Sequence, residues 1–215
     1  YTSKCTTPDV GPVPKSVLLV KWNKDGNYIY PDTKWCGAGN ISTKGDGEYG
    51  KANGTDRCCK AHDQAKDYIS AWRMHPNHSL INTRQYTVTN CSEDIKLFDC
   101  LYQDNSTVSF EFGQAFFDAL RVPCFAYTYP IVCKNWTFTW YPLITPTCEE
   151  YVVDQNASKR WQFISPPNFY EAYTRKWYPD KSTVSEKTGS NWKLSCQQDS
   201  DMGCGHYEFV NKTAG

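Results

Sequence analysis

The sequence predicts a mainly α-helical, disulfide-stapled domain with a small amount of antiparallel β-structure. Two observations indicate this class. Eleven cysteines occur in 215 residues, a density typical of chains that fold in an oxidising compartment. Apolar residues recur at helical spacing through the middle of the chain, whereas β-branched and aromatic residues suggestive of short strands appear beyond Cys124.

The first predicted helix follows a segment from Trp35 to Gly54 that is rich in glycine and polar residues and is expected to be a loop. Thr55 is the expected N-cap of this helix, and Pro76 marks its expected end. Its apolar stripe consists of Cys58, His62, Ala65, Ile69 and Trp72.

The other predicted elements are shorter. Helical spacing predicts a second helix from about Cys91 to Tyr102 and a third over residues 112–120, ending before Pro123. Aromatic and β-branched residues predict strands around Trp136–Trp140 and Tyr151–Val153, and an apolar run predicts one more at Val17–Val20.

Composition also restricts the functional class. The 23 Lys and Arg residues balance the 23 Asp and Glu residues, which argues against a nucleic-acid partner because such proteins carry a basic excess. Cysteine density together with N-x-S/T sequons predicts a secreted, extracellular glycoprotein. The sequons lie at Asn40, Asn53, Asn77, Asn90, Asn105, Asn135, Asn156 and Asn211.

A glycine-containing loop supplies the first part of a candidate site. In an extended chain, carbonyls at every second residue face one side, so Trp35, Gly37 and Gly39 are expected to offer backbone oxygens to one cation. Glycine permits the close approach that such coordination requires. An all-oxygen site suits a hard cation, above all Ca²⁺, once a carboxylate completes it.

Two helices supply the rest of the candidate site. On the first, His62 lies one turn beyond Cys58, and Asp63 lies one turn beyond Cys59. If Cys59 bonds to the glycine loop, Asp63 becomes the missing carboxylate and His62 faces the same cleft. Asp94, on the apolar side of the second helix, is then expected to pair with His62 and to stabilise its imidazolium form. Because no serine or cysteine nucleophile is implied, the expected nucleophile is a water molecule that His62 deprotonates.

These motifs resemble the group III secreted phospholipases A2, the bee-venom type. The resemblance is carried by Trp35-Cys-Gly-x-Gly-Asn, by Asp56-x-Cys-Cys-x-x-His-Asp and by Cys91 to Asp99-Cys100. It implies a phospholipase A2 fold with two antiparallel core helices, a calcium loop and a β-hairpin. It also implies hydrolysis of the sn-2 ester of glycerophospholipids at a membrane interface.

The resemblance assigns a role to each site residue. Ca²⁺ is held by the carbonyls of Trp35, Gly37 and Gly39 and by the carboxylate of Asp63. His62 is the general base, Asp94 is its partner, and the amide of Gly37 stabilises the oxyanion. The implied disulfide bonds are Cys36–Cys59, Cys58–Cys100, Cys91–Cys124 and Cys133–Cys148.

Two departures from the bee-type pattern stand out. In the bee-type enzyme, two further cysteines form a fifth disulfide bond. Ala65 and Glu93 occupy the positions of these two cysteines, so both are absent together. Phe116 stands where the bee-type enzyme has a tyrosine that supports the catalytic aspartate. Because one neutral hydrogen bond is worth only about 0.5–1.5 kcal/mol, we expect this change to adjust activity rather than to abolish it.

The resemblance divides the chain into an N-terminal extension (1–27), a phospholipase A2 core (28–170) and a C-terminal extension (171–215). The four implied disulfide bonds use eight of the eleven cysteines and leave Cys5, Cys196 and Cys204, which all lie in the extensions. We expect Cys5 to bond to one of the C-terminal pair, or Cys196 to bond to Cys204. Either arrangement leaves one thiol that is available to a disulfide-linked partner.

Two alternatives to a phospholipase are compatible with the sequence: a phospholipase-fold toxin or receptor ligand, and a Ca²⁺-binding matrix glycoprotein with little catalysis. We also expect His75, His78 and His206 to be solvated surface residues. Tyr28, Ile29 and Tyr30 are expected at the mouth of the cleft, where they contact lipid.

Overall fold

The computed structural model describes residues 14–22, 28–39, 41–42, 47–140, 144–166, 168–174, 192–195 and 206–209. The predictions for Cys5, Cys196 and Cys204, and for the sequons at Asn40 and Asn211, lie outside the described residues. Among the helices that are described, none is both long and apolar enough to cross a membrane.

Helices and short strands alternate along the chain. The helices are α1 (Lys15–Trp22), α2 (Asn53–Asp63), α3 (Cys91–Asp104), α4 (Thr107–Gly113), which continues as a π-helical segment (Gln114–Leu120), and α5 (Phe169–Thr174). The strands are β1 (Tyr68–Ile69), β2 (Val88–Thr89), β3 (Cys124–Thr128), β4 (Ile131–Thr139), β5 (Thr145–Val153), β6 (Arg160–Ile164), β7 (Trp192–Ser195) and β8 (His206–Phe209).

The strands form antiparallel pairs. β1 pairs with β2, β3 with β6, β4 with β5, and β7 with β8. The β4–β5 hairpin confirms the strands predicted around Trp136–Trp140 and Tyr151–Val153, whereas the β3–β6 pair was not predicted. A parallel bridge between Asn90 and Phe125 connects the start of α3 to β3.

Four disulfide bonds join the described cysteines, and they confirm the pairings that the resemblance implies: Cys36–Cys59, Cys58–Cys100, Cys91–Cys124 and Cys133–Cys148. The adjacent cysteines on α2 therefore have different partners. Cys59 attaches α2 to the glycine loop, and Cys58 attaches α2 to α3. These two bonds hold the three parts of the candidate site together.

The predicted strand at Val17–Val20 is wrong, because this segment lies in helix α1. The amides of Val17 and Leu18 donate to the carbonyl of Pro14 at 2.9 and 3.2 Å, which starts the helix. Leu18 and Trp22, four residues apart, are buried, whereas Val17 and Val20 are exposed. Burial of the i, i+4 pair thus outweighs the β-propensity of the valines.

The first predicted helix ends much earlier than Pro76. α2 ends at Asp63, and Ile69 lies in β1, where it pairs with Val88 and is buried. Trp72 has a φ of 58° and is 67% exposed. The helical spacing of these two apolar residues was therefore coincidental.

Thr55 does not cap α2. The N-cap position is occupied by Ala52, whose side chain makes no capping hydrogen bond. Thr55 lies inside the helix and is fully buried, with its hydroxyl 2.9 Å from that of Ser109.

The second and third predicted helices are confirmed, with extended bounds. Asn90 caps α3 by accepting the amide of Ser92, and Ser106 caps α4 by accepting the amide of Ser109. The π-helical segment ends at Leu120, and its C-cap residue Arg121 has a φ of 53°, shortly before Pro123. Asparagine and serine caps satisfy amides that a helix leaves unpaired at its first turn.

The main core contains aromatic and aliphatic side chains from four of the helices and the disulfide-bonded Cys58 and Cys59 from α2. The ring of Phe98 meets those of Phe117 and Phe169 edge-to-face at 5.2 and 4.8 Å. Trp22 contacts Phe112 at 5.1 Å, so α1 contributes to this core even though it precedes the predicted core boundary at residue 28. The other predicted boundary, after Tyr170, falls within α5.

Candidate active site

His62 and Asp94 form the centre of the candidate site. His62 lies in the last turn of α2, and Asp94 lies in the first turn of α3. The Nε2 atom of His62 is 2.7 Å from Oδ1 of Asp94, and both side chains are largely shielded from solvent. The Cys58–Cys100 bond brings the two helices together one turn away from His62. This geometry leaves Nδ1 as the nitrogen that can accept a proton when Nε2–H points at the carboxylate.

The surroundings of His62 favour its charged form. Burial lowers the pKa of His62, but the hydrogen bond that His62 donates to Asp94 and the negative charges of Asp94, Asp63 and Glu93 together outweigh burial. The net result is a pKa above the usual value for histidine. A histidine stabilised as imidazolium is suited to taking a proton during a reaction.

The glycine loop, residues Trp35 to Gly39, packs against the segment that precedes it. Ile29 and Gly37 form an antiparallel bridge, and the amide of Tyr30 donates to the carbonyl of Cys36 at 2.8 Å. A Cβ atom on Gly37 would lie 1.9 Å from the carbonyl oxygen of Tyr28, so only glycine fits there. Gly39 has a φ of 91°, a conformation that glycine adopts without strain.

The backbone groups of this loop already make local hydrogen bonds. The amide of Gly37 donates to the carbonyl of Trp35 at 3.2 Å, and the amide of Gly39 donates to the carbonyl of Gly37 at 3.1 Å. Each of these carbonyls retains a second lone pair for a cation. The amide of Gly37 must release the carbonyl of Trp35 before it can donate a hydrogen bond to an oxyanion.

Asp63, the predicted carboxylate ligand, lies at the C-terminal end of α2, one turn beyond Cys59 and its bond to the glycine loop. The side chain of Asp63 reaches solvent. Partial desolvation by the surrounding protein nevertheless raises the pKa of Asp63 to about 7. The charge of His62 lowers this pKa, and the negative charge of Asp56 raises it further. A hard cation prefers such oxygen donors. The donor chemistry of this carboxylate and of the loop carbonyls therefore fits Ca²⁺.

Asp56 is a structural element of the site to which the sequence analysis assigned no role. It is completely buried. Its carboxylate accepts the amides of Lys34, Trp35 and Gly50 at 2.9, 2.8 and 2.6 Å. Asp56 thereby binds the glycine loop to α2, and the signal that pointed to it was its place in the Asp-x-Cys-Cys motif.

Replacing Asp56 by asparagine is expected to lower the free energy of unfolding by about 2–4 kcal/mol, because a charged acceptor is lost and an NH₂ group faces buried amides. Urea denaturation measures the effect. Asp32→Asn, which changes an exposed acid in the neighbouring segment, is the matched control. An Asp56→Asn variant as stable as its control would show that the carboxylate does not hold the loop.

The expectation that His75 and His78 are solvated is wrong. His75 is buried, and its ring stacks on that of His78 at 3.8 Å, while His78 stacks on Trp161 at 3.5 Å. Nε2 of His75 is 2.9 Å from Oδ1 of Asp67. His206 lies in β8, and its side chain is outside the described part of the chain.

The group formed by Asp67, His75 and His78 brings potential metal-ligand atoms within 4.8 Å of one another. Nδ1 of His75, however, accepts the amide of Asn77 at 3.0 Å. Neutral His75 therefore carries its proton on Nε2 and donates it to Asp67, which leaves no lone pair on that nitrogen for a metal. The group is a hydrogen-bonded and stacked support for the segment between β1 and β2.

Comparisons with known proteins identify the family. Residues 29–128 match the family model described as phospholipase A2. A phospholipase A2 of Bombus pensylvanicus is 39% identical over 138 residues, which cover 63% of this chain and 96% of the relative. A phospholipase A2 of Xylocopa appendiculata circumvolans is 33% identical over 148 residues, which cover 68% of this chain and 76% of the relative.

A mammalian enzyme is a third relative. The group 3 secretory phospholipase A2 of Bos taurus is 31% identical over 152 residues, which cover 71% of this chain and 27% of the relative. The residues matched by the family model include the disulfide-linked helices α2 and α3 and the candidate site described above. The chain belongs to the phospholipase A2 family, in its group III branch.

Proposed function

We propose that the chain is a secreted, Ca²⁺-dependent phospholipase A2 that hydrolyses the sn-2 acyl ester of glycerophospholipids. The observation that carries the proposal is the 2.7 Å contact between His62 and Asp94. The Cys36–Cys59 and Cys58–Cys100 bonds attach the glycine loop and α3 to the helix that bears His62. The similarity to enzymes named phospholipase A2 supports the same function.

In this proposal, His62 is the general base. Asp94 accepts Nε2–H, which fixes the ring and leaves Nδ1 to take a proton from a water molecule. Loss of the proton makes the water oxygen more nucleophilic, and this oxygen attacks the carbonyl carbon of the ester. His62 then returns the proton to the departing lysophospholipid oxygen, and Asp94 stabilises the imidazolium between the two steps.

Ca²⁺ would be held by the backbone carbonyls of Trp35, Gly37 and Gly39 and by the carboxylate of Asp63. When bound, it supplies positive charge that polarises the ester carbonyl. The amide of Gly37 would donate to the oxygen on which negative charge develops, once it leaves the carbonyl of Trp35. Asp56 keeps this loop against α2 throughout.

The proposed working surface is a membrane interface, and the chain is proposed to act there as an extracellular enzyme. Tyr28, beside the glycine loop, is 54% exposed and suits contact with lipid. Ile29 and Tyr30 are buried, so the expectation that they contact lipid is wrong. Their inward orientation follows from the bridge between Ile29 and Gly37 and from the packing of Tyr30 on Phe112.

Binding to zwitterionic vesicles is expected to depend weakly on salt. The balanced charge gives the chain no net attraction to anionic surfaces. Partitioning onto phosphatidylcholine vesicles, measured by sedimentation, should change less than about threefold between about 50 and about 300 mM NaCl. A steep loss of binding across this range would contradict an interface dominated by apolar and aromatic contacts.

Positional labelling tests the proposed reaction. Vesicles of phosphatidylcholine that carry the label at either the sn-1 or the sn-2 acyl chain are incubated with the protein and Ca²⁺. Release of the sn-2 label alone supports the proposal. Release of the sn-1 label would assign a different ester specificity, and absence of release would favour a non-catalytic binding protein with this fold.

A further inference from the structure

A third side chain joins the pair of His62 and Asp94. The hydroxyl of Thr89 donates to Oδ1 of Asp94, the same oxygen that contacts His62. The Nε2 atom of His62 is also 3.1 Å from Oγ1 of Thr89. The histidine nitrogen, the carboxylate oxygen and the hydroxyl therefore form a closed triangle of contacts.

Asp94 depends strongly on this contact. Thr89 is 8% exposed and Asp94 is 4% exposed, so little water can replace the hydroxyl. The other carboxylate oxygen, Oδ2, is buried and has no hydrogen-bond partner among the described residues. Among the described residues, the two donors to this carboxylate are His62 and Thr89, and both use the same oxygen. Of the two, only Thr89 is not itself a reacting group.

Phe116, which packs against His62, cannot donate a hydrogen bond to the carboxylate of Asp94. The ring of Phe116 packs edge-to-face against His62, with 5.7 Å between the centroids. It carries no hydroxyl and contributes apolar contact alone. The orientation of the carboxylate is therefore left to Thr89.

The backbone of Thr89 is fixed independently of Asp94. Thr89 pairs with Tyr68 in the β1–β2 ladder. The next residue, Asn90, donates its backbone amide to the carbonyl of Asp67 at 3.0 Å and caps α3. Because the backbone of Thr89 is held from both sides, its hydroxyl has a defined position from which to orient the carboxylate of Asp94.

We propose that Thr89 is a positioning residue for catalysis: its hydroxyl holds the carboxylate of Asp94 in the orientation that accepts Nε2–H of His62. This inference rests on the proposed function, in which His62 is the base. Thr89 acts through Asp94 and does not touch the substrate. It supplies from a strand the hydrogen bond that the aromatic residue at position 116 does not supply.

The test compares variants that separate the hydroxyl from the shape of the side chain. Thr89→Val keeps the shape and removes the hydroxyl, and is expected to lower kcat for vesicle hydrolysis about ten- to a hundredfold, the effect of a lost hydrogen bond to a charged group. KM should change less than about twofold, because the hydroxyl does not contact lipid. Thr89→Ser keeps the hydroxyl and should stay within about threefold of the parent kcat.

A matched control removes another buried, hydrogen-bonded hydroxyl. Thr55→Val deletes the contact to Ser109 and is expected to lower the melting temperature without changing kcat more than about twofold. If Thr89→Val does not fold, Thr89→Ala and Thr89→Ser make the same comparison, since they too differ by the hydroxyl alone.

His62→Gln distinguishes this inference from the proposed function. Loss of hydrolysis in His62→Gln, with the kcat of Thr89→Val equal to that of the parent, would overturn the role of Thr89 and leave the proposed function standing. Full hydrolysis by His62→Gln would overturn the proposed function itself. Equal losses in Thr89→Ser and Thr89→Val would also overturn the inference, because the hydroxyl would then not be the group that matters.

Discussion

Replacement of His62 by glutamine is expected to reduce phospholipid hydrolysis about a thousandfold while the fold is retained. Glutamine has a similar size and offers an amide in place of the imidazole, but it has no nitrogen that takes a proton near neutral pH. The steady-state rate of fatty-acid release from phosphatidylcholine vesicles measures the loss, and thermal unfolding verifies the fold.

The control for this prediction is Lys66→Gln, which removes a basic side chain from an exposed position shortly after α2. It should leave both the rate and the melting temperature unchanged within error. Hydrolysis by His62→Gln at a tenth of the parent rate or more would mean that another group activates the water. A variant that no longer folds would be replaced by His62→Asn, which also lacks the basic nitrogen.

Replacement of Asp63 by asparagine is expected to remove both hydrolysis and the stabilisation of the fold by Ca²⁺. A cation that binds only the native state at about a hundred times its Kd adds about 2.7 kcal/mol of stability. For a chain of this size, that corresponds to a rise of about 5–10 °C in melting temperature. Asp63→Asn lacks the charged ligand and should shift by less than about 2 °C under the same conditions.

Glu149→Gln serves as the matched control, since it neutralises an exposed acid on β5. It should show the full thermal shift with Ca²⁺ and the full rate of hydrolysis. A full Ca²⁺-induced shift in Asp63→Asn would place the cation elsewhere. The thermal readout needs no substrate, so it tests the metal site independently of the reaction.

Much of the framework was predictable because it depends on local spacing. Adjacent cysteines on one helix must have different partners, and their bonds to Cys36 and Cys100 were implied by the resemblance. Helix α3 and the β4–β5 hairpin were visible in the apolar spacing and in the aromatic runs. The contact between His62 and Asp94 was anticipated because a histidine base commonly needs a carboxylate on its second nitrogen.

The errors arose where tertiary packing decides the outcome. The valines of α1 have strand propensity, but burial of Leu18 and Trp22 against the core stabilises a helix. The spacing of Ile69 suggested a longer α2, although this side chain is buried by pairing with β2. His75 resembled a surface residue because its partners, Asp67 and the ring of His78, meet it only in the folded chain.

The supporting residues of the candidate site were the hardest to predict. Asp56 acts by accepting hydrogen bonds from three backbone amides. Because nearly every residue has a backbone amide, the sequence does not indicate which amides a carboxylate will bind. Thr89 acts through a hydroxyl placed by strand pairing, and threonine is common in strands for unrelated reasons. Both residues become apparent only when donors and acceptors are paired in three dimensions.

The most direct test of the central claim is the Ca²⁺ dependence of sn-2 fatty-acid release by the unaltered chain. Vesicles of phosphatidylcholine are incubated with protein in a chelator, and Ca²⁺ is then restored in excess. We predict that release is abolished by the chelator and recovers fully when Ca²⁺ returns, with no change in the folded fraction. Undiminished release in the chelator would contradict the account, because the glycine loop and Asp63 would then have no part in the reaction.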